Sequence, residues 1–189
     1  SSGFVTLVIY TAVVCIRLRV GAHTYVQKML PSFLISLSSG SVGAAFMPAI
    51  DTLIGPLGVD MDFAPLAYNL GSILFRPGYC IVFTSCSIFT AGMYGLEVTW
   101  AWGVAAFLLS FILSVATPPV MGGTAVCFSI LFSQLGLGSQ ALALIISINA
   151  FLEFQTIDVN NYCLESQIVL LGNSIGELDI DKLREEVVE

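Results

Sequence analysis

Asn149, Glu153, Thr156 and Asn160 are spaced by four, three and four positions, so a helix carries them along one face. Apolar sequence of membrane grade lies on either side, from Ala141 to Ile148 and from Ile168 to Gly172. A carboxylate in such a setting must be paired, hydrogen-bonded or protonated. Glu153 is therefore read as a group that holds a substrate amine, carries a proton, or does both. The structural alternative is an ion pair with Arg76. Asp158 and Glu165 fall off the stripe, and Asp158 is a second candidate partner for Arg76.

Two short polar breaks complete the set of residues that could do chemistry. Ser38-Ser39-Gly40-Ser41 offers hydroxyls and the free N–H groups that open a helix, where partial positive charge favours a carboxylate. Thr117-Pro118-Pro119-Val120-Met121-Gly122-Gly123 offers exposed carbonyls, which suit a cation or an amine. Irregular backbone at membrane depth is tolerated only where it lines a cavity or is buried in protein.

The elements that must position these residues are membrane segments. The chain has 189 residues, 57% hydrophobic and only 10% charged, against roughly 25% charged in a soluble domain. A chain this small cannot bury so much apolar surface within itself in water, so a polytopic membrane protein is expected. The net charge of -7 is concentrated at the end: residues 177–189 hold six of the thirteen acids. That tail reads as a solvated helical extension without a binding role, and no nucleic-acid partner is expected. The five cysteines lie in apolar context with no metal spacing, and His23 sits beside Arg17, Arg19 and Lys28, so neither a disulfide framework nor a metal centre is expected. The abrupt start at Ser1-Ser2-Gly3 points to a piece of a longer protein.

Residues 3–16 read as a transmembrane helix, and Arg17, Arg19 and Lys28 place the following loop in the cytoplasm. Residues 29–50 have two apolar arms of nine residues around the serine break. Each arm reaches about 13–14 Å as a helix, roughly half of a ~30 Å hydrocarbon core. A re-entrant hairpin is expected, with a serine-kinked span as the runner-up. Residues 63–95 form a helix broken at Phe75-Arg76-Pro77-Gly78, because proline removes a donor and clashes with the preceding turn. Arg76 is costly at that depth unless it meets a partner or water. Trp100 and Trp102 read as interface anchors ahead of a second hairpin, 101–137, and residues 139–172 form a second broken helix. The expected fold is all-α, an inverted repeat of two re-entrant hairpins and two broken transmembrane helices, with the site where the breaks converge. Residues 1–172 make up this portion and 173–189 the acidic tail.

The order of elements, the Ser38-Ser39-Gly40-Ser41 tip, Leu70-Gly71 before a broken helix, Ser114-Val115-Ala116-Thr117 entering the second hairpin and a polar final helix ending in Asn160 resemble the dicarboxylate/amino acid:cation symporters, the glutamate-transporter family. The resemblance covers residues from about 1 to 172, as the C-terminal transport portion of that fold. It implies symport of a small carboxylate or amino acid across the plasma membrane by an elevator-type movement. It also implies a homotrimer in the full-length protein, a cytoplasmic C-terminus and no enzymatic activity.

Carried over residue by residue, the resemblance places Ser38, Ser39, Val120, Gly122, Glu153, Thr156 and Asn160 at the substrate. It places Gly71, Ser114, Thr117, Glu153 and Asn160 in cation or proton coupling. Glu153 stands where the family has an aspartate for the substrate amine. Thr156 stands where carriers of acidic amino acids have an arginine, which implies a neutral substrate. The cation motif departs. Phe75-Arg76-Pro77-Gly78-Tyr79 replaces Asn-Met-Asp-Gly-Thr, and Leu164 stands at the final-helix aspartate. Hard cations need oxygen ligands, which Phe, Pro and Leu side chains do not supply. The coupling ion implied is therefore Na+ or H+, with Arg76 as a fixed charge in the broken helix that replaces a bound cation. A channel-like or transport-inactive membrane protein is the alternative that the lost ligands favour. An intramembrane protease, read from Gly40-Ser41-Val42-Gly43 or from Asp158, lacks a membrane-depth histidine or a second equivalent aspartate.

Overall fold

A computed structural model describes residues 2–118 and 122–185. Among these, the chain forms helices α1 (Ser2–Leu18), α2 (Ala22–Ser39), α3 (Val42–Ile54), α4 (Phe63–Leu74), α5 (Pro77–Met93), α6 (Trp100–Ala116), α7 (Gly123–Gln134), α8 (Ser139–Ser147), α9 (Asn149–Ile175) and α10 (Ile180–Arg184). The described residues form no strand; one isolated antiparallel bridge joins Val59 and Leu178. The protein is all-α, as the sequence predicts.

Phe63–Met93 is the one described stretch long and apolar enough by itself to cross a bilayer, and the break at Phe75 and Arg76 lies inside it. Pro77 begins α5, where its missing N–H costs nothing, and it biases Arg76 out of the helical region. The helices α8 and α9 qualify only as a pair, bent by 65° at Ile148. The polar stripe is thus not on an unwound segment: α9 runs without interruption for 27 residues and the bend precedes it.

The chain folds as two compact units, Ser1–Phe75 with Ile157–Glu189, and Arg76–Thr156. In the first unit, α2 and α3 fold back on one another through Gly40 and Ser41. Gly40 takes a left-handed conformation (φ 54°) that a side chain would disfavour, and its N–H closes α2 on Ser36 O at 3.0 Å. The Ser41 hydroxyl then caps α3 by accepting from Ala44 N. The arms are longer than nine residues: α2 has 18 and α3 has 13, about 27 and 20 Å. The added turns of α2 come from Ala22–Lys28, where no Gly or Pro stops the helix. The core of this unit packs Val14, Tyr25, Met29, Leu53, Ala64, Tyr68, Val169 and Leu183.

In the second unit, α5, α6 and α7 enclose Phe83, Ala106, Phe128, Leu131 and Phe132, joined by α8 through Ile145. Phe83, Phe128 and Phe132 meet edge to face. Thr99 caps α6 by accepting from Trp102 N, and the Trp102 indole donates to Leu135 O at 3.3 Å.

The tail departs from the solvated extension expected of it. Residues 177–185 dock on the first unit. Asp60 N donates to Glu177 O at 3.0 Å and Asp179 N to Gly58 O at 2.8 Å. Leu183 is fully buried. Basic side chains find helix-terminal carbonyls, which have no intrahelical partner. Lys28 Nζ donates to Lys182 O (2.7 Å) and Leu183 O (3.0 Å), Lys182 Nζ to Ile54 O (3.1 Å), and Arg184 Nη2 to Leu18 O (2.8 Å). Glu177, Asp179, Asp181 and Glu185 are exposed while Leu178 and Leu183 face the unit, a pattern too short to stand out in the sequence.

Leu183→Ala is expected to cost about 2–4 kcal/mol by leaving a cavity, read as a lower unfolding temperature of the purified protein. Before α4, Asp60 Oδ1 accepts from Phe63 N (3.1 Å) and Asp62 N (2.9 Å), and these bonds hold its carboxyl below the ordinary aspartate range. Such a group contributes stability above its unfolded pKa and loses it as pH falls through the folded value. Asp60→Ala should therefore be less stable than the wild type near neutral pH, and the two should converge in acid, as followed by thermal unfolding at stepped pH.

Candidate functional site

In the second unit, Thr124 opens α7 and reaches α9. Its Oγ1 lies 2.7 Å from Glu153 Oε1 and 3.0 Å from Asn149 Oδ1, with one proton shared between two acceptors. Asn149 and Thr124 are buried, whereas Glu153 is half-buried. A half-buried carboxylate held by a hydroxyl and still open on one side can bind an ammonium group. Thr124 was not singled out in the sequence, although it follows the Gly122-Gly123 break directly. Gly122 precedes α7 in a left-handed conformation (φ 84°). Thr156 is on the same helix but buried, and its hydroxyl donates to Leu152 O at 2.6 Å, so its polar group serves its own backbone. Val120 lies outside the described residues.

Arg76 also belongs to this unit. Its Nη1 donates to Thr117 O at 2.6 Å, and its guanidinium carbon sits 5.8 Å from the centre of the Tyr79 ring. Thr117 caps the C-terminus of α6, the end of a helix with unpaired carbonyls and partial negative charge. A buried guanidinium therefore sits at the partly negative end of α6. The side chains of Ser114 and Thr117 are turned to their own helix, donating to Phe111 O and Leu113 O, both at 2.7 Å. The Thr117 carbonyl, not its hydroxyl, is the group that receives the cation.

In the first unit, the tip serines Ser38 and Ser39 donate to Ile35 O (3.1 Å) and Ser36 O (3.4 Å). Ser38 is exposed at the turn and Asn160 is buried on α9. Gly71 packs so closely on α9 that a Cβ added there would overlap Leu164 Cδ1. The space beside Gly71 is therefore filled by hydrocarbon, and neither residue offers a side-chain oxygen to a hard cation. Among the described residues, no group of three or more His, Cys, Asp or Glu side chains could hold a metal ion.

Asp158, read from the sequence as a candidate partner of Arg76, and Glu165 lie off the stripe. They are buried on a second polar face of α9 together with Asn161 and Ser166. Ser32 Oγ donates to Glu165 Oε1 at 2.5 Å, Asn161 Nδ2 to Ser36 Oγ at 2.8 Å, and Tyr68 OH to Asn161 Oδ1 at 3.0 Å. Asp158 engages the Ser36 hydroxyl. The signal was present in the sequence as two matching spacings: Ser32 and Ser36 one turn apart on α2, and Asp158, Asn161 and Glu165 along one side of α9.

The model of the sodium:dicarboxylate symporter family matches residues 1–160. No curated protein matches the chain. The family consists of membrane transporters, not enzymes, that couple a small-molecule substrate to sodium. The match extends over most of the chain and takes in the helix pairs α2–α3 and α6–α7, the break at Arg76 and the stripe from Asn149 to Asn160. The chain belongs to the sodium:dicarboxylate symporter family.

Proposed function

We propose that this protein carries an amino acid with a neutral side chain, or a related small carboxylate, across the plasma membrane by secondary active transport. The observation that carries this reading is the Thr124–Glu153–Asn149 cluster: a half-buried carboxylate on a polar helix face, fixed by a hydroxyl at the mouth of the second break. Glu153 receives the substrate amine. In the first unit, Ser38 and Ser39 with the N–H groups opening α3 are a set of donors suited to a carboxylate, which requires their hydroxyls to turn from the carbonyls they now hold. Thr156 brings no charge for an acidic side chain. In this reading α2–α3 and α6–α7 are re-entrant hairpins of an inverted repeat, and the second is the gate of an elevator-type movement. The full-length protein is a homotrimer with a cytoplasmic C-terminus.

Sodium does not fit the two places where side chains would have to hold it. Leu164 fills the space beside Gly71, and Phe75 and Pro77 bring no oxygen. At the Thr117 carbonyl, Arg76 supplies a charge fastened to the chain. Coupling to a proton, or exchange without a coupling ion, accords better with these residues. The same losses are what a channel-like or transport-inactive relative would show.

Liposomes holding the full-length protein should accumulate labelled neutral amino acids or small carboxylates. Failure with every amino acid and dicarboxylate tried, under both sodium and proton gradients, would sink the reading. Glu153→Gln removes a charged hydrogen-bond acceptor worth about 1.5–3 kcal/mol, so the apparent affinity should drop roughly ten- to a hundredfold. An unchanged KM would rule out the amine contact. Arg76→Met should make uptake rise with added sodium where the wild type is indifferent to it.

A further inference from the structure

Glu165 is among the most enclosed polar side chains of the protein, 1% exposed. One of its oxygens accepts from Ser32, and the other, Oε2, has no hydrogen-bond partner among the described residues. Asp158, two turns back on the same side of α9, repeats the arrangement. It is 4% exposed, it engages Ser36, and its Oδ1 has no partner among the described residues. Asp158 is near enough for its charge to act on Glu165.

The groups that face Glu165 from the packed elements are Ser32 and the phenol of Tyr25 on α2, the phenol of Tyr68 on α4, and Tyr162 and Asp158 on α9. Behind Tyr162 lie Cys163 on its own helix and Cys15 on α1, and Tyr10 of α1 turns to Gln167. On α2, Lys28 is turned to the carbonyls of Lys182 and Leu183 and His23 is exposed, and Asp51 of α3 is exposed. Among the described residues, none of the groups facing Glu165 is basic.

An ionised carboxylate enclosed this way has no counter-charge, and a second one beside it compounds the cost. A hard metal cation would need several oxygen ligands. The neighbouring oxygens are largely committed to one another, Asn161 Oδ1 to Tyr68 and Ser36 Oγ to Asn161 Nδ2. What such a site can take is a proton.

We propose that Glu165 is the proton carrier of this transporter, with Asp158 as the acid through which its proton is exchanged. Ser32 and Ser36 succeed one another along α2 towards the turn at Gly40, so Asp158, held at Ser36, is the acid nearer the exposed Ser38. The bookkeeping of the step is one proton bound at a carboxylate oxygen on one side of the membrane and released from it on the other. Glu153 is thereby left to the substrate amine. The proposal rests on the transport reading for its consequence, but the protonation itself is measurable without transport.

The experiment has two arms on the full-length protein. In nanodiscs, infrared difference spectroscopy across a pH titration should show the carbonyl stretch of a protonated carboxylic acid that disappears in Glu165→Gln. Absence of that band in the wild type, or its survival in Glu165→Gln, overturns the proposal. In liposomes, Glu165→Gln should lose accumulation driven by a pH gradient while keeping counterflow exchange of substrate, and Asp158→Asn should slow the first and spare the second. Gradient-driven accumulation at the wild-type level in Glu165→Gln, or wild-type accumulation that answers to sodium alone, also overturns it. If the band behaves as expected but no substrate is moved by any variant or by the wild type, the transport reading fails and the proton site stands.

Discussion

Polar groups withdrawn from water in an apolar protein must be matched by other protein groups, and in this chain the matching converges on one helix. α9 carries two polar faces in its 27 residues. Its first turns meet α7 through Thr124, and its middle meets α2 and α4 through Ser32, Ser36 and Tyr68. Remove the hydroxyls of α2, and Asp158 and Glu165 lose the partners it supplies, while Asn161 keeps only Tyr68. The positions of the turn-linked helices follow from this requirement as much as from hydrophobic packing, because apolar side chains alone do not specify one register over another.

The second constraint is charge. In a chain of a sodium-coupled family, Phe75, Pro77 and Leu164 offer no side-chain oxygen, Leu164 fills the space beside Gly71, and a guanidinium sits at the C-terminal carbonyl of α6. These features are mutually consistent. A leucine beside Gly71 would be wasteful next to a functioning cation site, and a buried arginine would repel a cation bound nearby. Local rules are broken together at the place where function is expected.

Much of this was legible beforehand. The helical breaks at Ser38–Ser41 and at Phe75–Pro77 are marked by glycine, serine and proline, whose backbone preferences act locally. The stripe from Asn149 to Asn160 was legible because its spacing needs no knowledge of partners. Three features were not. The bend at Ile148 falls on an apolar residue with no Gly or Pro, so only tertiary packing decides it. The docking of residues 177–185 depends on carbonyls at the ends of α1 and α3, over a hundred residues away in sequence. The importance of Asp158 and Glu165 over their neighbours depends on which face of α9 meets α2, and periodicity offers both faces without ranking them. Thr156 shows the converse: its position suited a substrate contact, yet its hydroxyl turned to Leu152 O.

Arg76 has one more consequence, in the currency of membrane voltage. An ion taken from solution is released on the far side, and each charge so delivered exchanges about 2.3 kcal/mol with every 100 mV of potential. A guanidinium that belongs to the chain cannot be released. In the transport cycle proposed above, whatever field it crosses with the loaded carrier it crosses again in the opposite direction with the empty one, so over a full cycle its electrical work is zero. Arg76 can shift the balance between the two orientations at a given voltage, but it cannot draw energy from the potential.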